Sequence, residues 1–505
     1  MSAAAAVSLA TIFSCGARSG LSDCYADSDC IGRDLCATLR CVARECKVLV
    51  HTVCDDADPC TDDRCDKKTG ACIFDHQTID LDGDGHRGPK PGLVVGAPGA
   101  CGDDCDDTDP NAFPGNAEVC DGVDNDCNGV VDDGASYVPG PPGNEVRVSV
   151  PADDYAESGG LARGANDRTM ALYLGTRSAQ LDPFLVMLDD SGKGSAAPKI
   201  LGSMPAAAGS AVTVWTGDRY GVAWSDRRDG NYEIYFATFD PQGAKLPPGD
   251  IRITVSDGFS IYPSIVWTGQ QYVVAWQEET GSVQGWRLQA QPLGLDGRLI
   301  GNIVTLTPSG TFEQAPALAS SKTELGVAWV RGDTASQHIF FATFALVDLA
   351  PKAPPKDISG ARGGRAASLA FVKNAYVAAW YTPEATMRTV FATALGRDGT
   401  VVVAPKRVPD PGLGQSREPA VISLGDRVLL VWADDRDQNQ GFELYTRTLA
   451  ADLTTLGPQR RVTNAVGDSV SPVIAFGHHG SVSVLFRDDR LAAPAAFFTA
   501  LACVK

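Results

Sequence analysis

From Tyr173 to Phe486 the chain repeats itself about every 52 residues, each repeat anchored by one large aromatic residue. The anchors are Tyr173, Trp224, Trp276, Trp329, Trp380, Trp432 and Phe486, separated by 51, 52, 53, 51, 52 and 54 residues. Pro263, Pro316 and Pro419 each precede their anchor by 13 residues, and Pro472 precedes Phe486 by 14. A fixed period over most of a chain restricts the fold to stacked or ringed units, because one unit cannot bury its apolar face alone. Within the units, alternating runs such as YEIYFATF and DIRITV are divided by Gly, Pro and Asp turns. That is the pattern of short antiparallel strands, and about four of them at this spacing make a propeller blade. The repeat therefore predicts a mainly β fold, a seven-bladed β-propeller over residues 145–505, preceded by a small disulfide-rich, loop-rich metal-binding module. Six or eight blades are the alternative counts, since the Tyr173 copy is degenerate.

Two further expectations follow from the repeat. The last unit shows only three strand patterns, while EVRVSV at Glu145–Val150 stands ahead of the first unit with no partner. An unpaired outer edge invites aggregation. Val146–Val150 is accordingly expected to close the last blade, antiparallel to Ala495–Val504. The motif WSDRRDG recurs as WADDRDQ and FRDDRLA, aligning Asp226, Asp434 and Asp488 with Arg228, Arg436 and Arg490. These pairs are expected to hold turns rather than a ligand, and the RGD tripeptide at Arg331–Asp333 is read as chance.

Charge and cysteine are concentrated at the other end. The chain has 43 Lys+Arg and 62 Asp+Glu, a net charge of -19, yet Cys15–Asn144 alone holds 26 acidic and 10 basic residues. The acidity is local, and it disfavours nucleic acid and anionic membrane as partners. Fourteen of the fifteen cysteines lie at or before Cys127. Residues 16–74 contain too few large apolar side chains to build a core, so disulfides are the expected staple. The cysteines assigned to disulfides are Cys24, Cys30, Cys36, Cys41, Cys46, Cys54, Cys60, Cys65, Cys72, Cys101, Cys105, Cys120 and Cys127. Four to seven residues separate neighbours between Cys24 and Cys72, which departs from paired zinc-ligand spacing. Cys503 is expected as a buried free thiol. The segments DCYADSDCIGRDLC and CDDADPCTDDRCDKKTGAC resemble cysteine-rich repeats of secreted bacterial surface proteins.

Residues 1–15, MSAAAAVSLATIFSC, form an apolar segment of signal-peptide length, and its end resembles a lipoprotein cleavage box with Cys15 as the lipidated residue. No other stretch approaches the length needed to span a bilayer. The organisation read from sequence is thus a signal segment at 1–15, a cysteine-rich module at 16–74, an acidic metal-binding repeat at 75–137, a Pro/Gly linker at 138–144, and the propeller.

Between Pro91 and Gly140 there is no Lys or Arg, while eleven Asp or Glu surround four cysteines. Carboxylates this dense repel one another unless a cation sits among them. Asp80, Asp82, Asp84 and Gly85 fit the first half of a calcium loop, as do Asp124, Asp126, Asn128 and Gly129. His86 and Val130 would add backbone carbonyls. Neither loop has the bidentate Glu at its twelfth position, where Pro91 and Ala135 stand. The supply of further ligands is Asp103, Asp104, Asp106, Asp107, Asp109, Glu118, Asp121, Asp132 and Asp133. The string DCDDTDP…PGNAEVCDGVDNDCNGVVDDG closely resembles the metal-binding repeat named after the copper-binding surface protein MopE, over roughly Asp80–Gly134. The resemblance implies metal binding, and its name suggests copper. The residues argue for Ca2+, because copper favours imidazole, thiolate and thioether ligands whereas all-oxygen sets suit calcium.

These features predict an exported cell-surface or secreted binding or adhesion-type protein, with an extracellular protein or carbohydrate as partner. One alternative is a carbohydrate-active enzyme on a sialidase-like propeller, although no S-x-D-x-G-x-T-W box is present. The other is a copper-sequestering surface protein. No catalytic motif is found, and an enzyme is not expected.

Overall fold

The computed structural model describes residues 24–504 apart from 32–34, 117, 119–122, 130–135, 141–143, 166–167, 178–179, 203–207, 282–284, 309–311, 334–335, 384–386, 413, 438–440 and 478–479. The expected signal segment and Cys15 lie outside the described residues, as do Cys120, Asp121, Val130, Asp132 and Asp133. Two compact units are present, one formed by 1–116 with 126–128 and the other by 117–125 with 129–505.

The larger unit is a seven-bladed propeller. Six blades are four-stranded antiparallel sheets whose first strands are Tyr155–Arg163, Ala208–Trp215, Ser260–Trp267, Glu313–Ser320, Arg365–Val372 and Ser416–Ser423. The seventh begins at Ser469–Phe476. Each first strand packs against the first strand of the next blade, and the seventh returns to the first, so these seven strands form the inner ring.

The aromatic anchors explain why the sequence repeats. All seven sit on second strands, at most 1% exposed. Six face another aromatic ring directly across the ladder, as in Trp224–Tyr235 (centroids 5.9 Å apart) and Trp432–Tyr445 (6.4 Å). The others are Trp329–Phe340, Trp380–Phe391, Phe486–Phe497 and, in the first blade, Tyr173–Phe184. Offset rings on adjacent strands contribute beyond their buried area. The repeated prolines have a different cause. Pro263, Pro316, Pro419 and Pro472 each follow a residue with positive φ (Tyr262, Ala315, Glu418, Ser471) at a bulge in the inner strand. A bulge forfeits a ladder hydrogen bond, and proline has no N–H to lose there.

The Asp-Arg pairs hold turns. Arg228 donates from its backbone N–H (2.9 Å) and Nε (2.9 Å) to Asp226, and Arg436 and Arg490 bind Asp434 and Asp488 in the same way. The indole N–H of Trp224 and that of Trp432 donate to the same carboxylates, at 3.2 and 3.1 Å. Each guanidinium also covers the third-strand ring, at 4.4 Å for Tyr235 and Tyr445 and 4.6 Å for Phe497. Arg331 of the RGD tripeptide is likewise committed, donating to Glu313 at 2.7 Å and lying over Phe340.

Closure uses the start of the unit, as expected, but with one more strand. Val146–Arg147 pairs antiparallel with Phe497–Phe498, and the Val148 N–H donates to the Ala496 carbonyl at 2.8 Å. Ser136–Pro139 pairs further along the same strand, with Leu501–Val504. Val138 and Pro139, read from sequence as linker, continue that strand. The expectation of a free thiol at Cys503 is corrected: Cys503 is disulfide-bonded, to a partner outside the described residues. The bridge is the other outcome the sequence allows for Cys503, because closure of the ring brings it back beside Tyr137, ahead of the first blade.

The smaller unit is held by covalent bonds. Its bridges are Cys24–Cys41, Cys30–Cys46, Cys36–Cys65, Cys54–Cys72, Cys60–Cys101 and Cys105–Cys127. Two hairpins, Ala37–Val42 with Glu45–His51 and Thr61–Cys65 with Cys72–His76, supply its regular structure. Its buried core cluster consists of Cys24, Cys30 and Cys46. Disulfides take the place that aliphatic side chains hold in a larger domain.

Candidate metal centre

The two D-x-D-x-[DN]-G loops share one local geometry. Asp80 accepts the N–H of Gly85 at 3.1 Å, and Asp124 accepts that of Gly129 at 2.8 Å. The next aspartate accepts the N–H two residues on, Asp82 from Asp84 (3.2 Å) and Asp126 from Asn128 (3.1 Å). Gly85 and Gly129 have φ of 99° and 90°, a region where a side chain would strain the turn. Both oxygens of Asp80 accept backbone N–H groups of its own loop, from Gly83 and Gly85, and the second oxygen of Asp126 accepts from the Asn128 side chain at 2.9 Å.

The first loop does not stand alone. Asp80, Asp82 and Asp84 each offer an oxygen within 4.8 Å of the others. Asp107 reaches the same loop by accepting the Leu81 N–H at 2.9 Å. Asp104 is fully buried, and its carboxyl is pushed up to about 6, first by desolvation and then by the charges of Asp84, Asp82 and Asp107. Asp82 is also raised, by desolvation and by Asp84, Asp80 and Asp107. Asp82 Oδ2, Asp84 Oδ2 and Asp104 Oδ2 are buried and accept no hydrogen bond among the described residues. Buried acceptors left unsatisfied are costly, and those of Asp82 and Asp84 beside mutually repelling charges make this loop a candidate cation site, with Asp104 grouped with Cys105 and Cys127 next to it. The loop's own donors are carboxylate oxygens, the set that suits a hard cation.

Backbone closeness makes the arrangement possible. A Cβ at Gly88 would stand 2.7 Å from Asp107 Cβ, and one at Gly102 would stand 2.1 Å from the Gly88 carbonyl oxygen. The two glycines let the segment around Arg87–Gly88 and that around Gly102 lie side by side.

The other sequence-derived candidates are placed differently. Asp103 binds His86 Nδ1 at 3.0 Å, and the imidazole, stacked on Phe113 with centroids 5.0 Å apart, has its pKa raised by that hydrogen bond. The His86 imidazole is therefore engaged with a carboxylate, and a second imidazole, His76, lines the same cavity as His86 and Asp103. Asp106 holds a turn through Thr108, and Asp109 does so through Asn111. In the larger unit, Glu118 is buried and offers an oxygen within 4.8 Å of one from Asp124. Sequence reasoning missed a third acidic group, Asp55, Asp56 and Asp63, which lies exposed beside Thr61.

Fold and site together define a seven-bladed propeller and a disulfide-rich module carrying acidic loops that are candidate metal sites, and its many disulfides suit an extracellular protein. Residues 104–133 match the family Cu-binding_MopE, described as a "Putative metal-binding motif". No curated protein sequence matches the chain. Among solved structures it is similar to a thermostable family-43 glycoside hydrolase, at 15% identity and TM-score 0.35 over 52% of this chain and 97% of that one. It is also similar to a subtype N10 neuraminidase-like protein of A/little yellow-shouldered bat/Guatemala/060/2010, at 9% identity and TM-score 0.40 over 73% and 98%. A third is puromycin hydrolase, at 12% identity and TM-score 0.46 over 72% of this chain; the chain spans 55% of that protein's length. No helix of the described residues is long and apolar enough to cross a membrane.

Proposed function

We propose that the protein is an exported cell-surface or secreted binding protein whose acidic module is locked by Ca2+ and whose propeller presents loops to an extracellular ligand. The observation that carries the metal assignment is the trio of buried, unpartnered oxygens on Asp82, Asp84 and Asp104. An all-oxygen set of this charge favours calcium over copper. The disulfide-based core favours an oxidising, extracellular setting. The competing reading is copper sequestration, which rests on the family's name. Elemental analysis of protein purified without chelator, then calcium titration of the full chain, tests the proposal. Bound calcium that is lost in Asp82→Ala/Asp84→Ala supports it. Stoichiometric copper without a calcium response overturns it.

A further inference from the structure

Among the described residues, every large aromatic ring that stands exposed on the propeller lies in one sector. Phe259, Tyr262 and Phe312 are 43%, 54% and 36% exposed. Phe259 and Phe312 hold the same position in consecutive blades, one residue ahead of the inner strands Ser260–Trp267 and Glu313–Ser320. Tyr262 occupies the inner-strand bulge, where Ala315, Ala366 and Ser471 stand in other blades. The half-buried Trp286 stands next to Phe312 in the backbone, the two bridged in parallel. A carboxylate lies within it: the Phe259 N–H donates to Glu279 Oε2 at 3.2 Å, and Glu279 is the cross-strand partner of Trp286.

The sector is also fixed in advance. Asn231 Nδ2 donates to the Ser256 and Gly258 carbonyls at 2.7 and 2.6 Å, holding the loop that delivers Phe259. Scattered exposed apolar residues need no explanation, but rings gathered in one place, with a polar group among them, mark a binding surface. Flat faces of negative quadrupole complement the flat, weakly positive C–H faces of pyranose rings, and a carboxylate accepts from their hydroxyls.

We propose that this sector is a carbohydrate-binding platform: an oligosaccharide stacks its pyranose faces on Phe259, Tyr262 and Phe312 and donates hydroxyl hydrogen bonds to Glu279. This names the ligand class of the platform proposed above and rests on that reading. The test is calorimetric titration of the full chain with cellohexaose, chitohexaose, maltohexaose and xylohexaose, alongside Tyr262→Ala and the triple variant Phe259→Ala/Tyr262→Ala/Phe312→Ala. At least one saccharide is expected to bind saturably, about tenfold more weakly to Tyr262→Ala, the loss due to one stacked ring, and not measurably to the triple variant. Thermal unfolding of the variants, expected to stay cooperative because none of the three rings is fully buried, separates lost binding from lost fold. No saturable binding up to about 10 mM of any of the four, or binding that the triple variant keeps, overturns the proposal. A protein ligand whose binding is lost in the triple variant while all saccharides fail would overturn the carbohydrate assignment and leave the platform reading standing.

Discussion

Replacing Asp104 by asparagine should act in opposite directions with and without metal. In the metal-free protein the Asp104 carboxylate is buried beside Asp82, Asp84 and Asp107, and its pKa is raised from 3.8 to about 6. Because the folded value lies above the unfolded one, the charge costs stability. The cost is absent well below pH 4, grows between pH 4 and 6, and is complete above 6. A shift of about two pH units corresponds to about 3 kcal/mol at most. Solvent penetrating a module this small reduces it to about 1–2 kcal/mol. The substitution Asp104→Asn removes the charge while keeping the shape, so at pH 7.5 in chelator the variant module should be more stable than wild type by that amount. With calcium the order should reverse, since the variant has lost an anionic ligand and with it the binding energy that stabilises the fold. Hydrogen exchange at the Leu81 amide, whose N–H is held by Asp107, reads the module directly in the full chain. A variant less stable than wild type in chelator would refute the electrostatic reasoning, and equal stability with calcium would refute the site.

Chelator should open the acidic module to protease between Asp80 and Asp133 while the propeller resists, and equal sensitivity of both units would contradict their independence. Deleting residues 1–135 keeps both closing strands and should leave a soluble propeller. Deleting 1–152 removes both and should leave an aggregating ring, with a melting temperature below that of the shorter truncation. Trp432→Ala, at a fully buried anchor, should cost about 3–5 kcal/mol in denaturant unfolding. Less than about 1 kcal/mol would mean the blade interface can collapse around the gap.

What the sequence disclosed follows from where the information sits. The anchors were legible because each blade demands a large ring at one register position, and the demand recurs with the blade. The bulge prolines were visible for the same reason, although their physical role was not. Ser136–Pro139 was hidden, since four residues beside a Pro/Gly tract carry no period and their partner lies at the far end of the chain. In the metal centre both loops could be read from local spacing. The convergence of Asp104 and Asp107 on Asp80, Asp82 and Asp84 could not, because it depends on one long-range hydrogen bond and on two glycines. Gly88 and Gly102 were the available signal, being glycines where no turn requires them. The engagement of Asp103 by His86 was beyond spacing arguments altogether.

The strand Ser136–Pro139 sets an order of events. It leaves the ribosome roughly 365 residues ahead of its hydrogen-bonding partner Leu501–Val504. At roughly 5–20 residues per second, synthesis alone separates the two by roughly 20–70 s. During that interval six blades can form in sequence from neighbouring contacts, but the ring has no seal. The nascent protein must therefore spend that interval as an open arc with one strand held in reserve. Whatever handles the chain in that interval has to keep that strand from pairing with any other edge, and the arrival of Leu501–Val504 ends the wait.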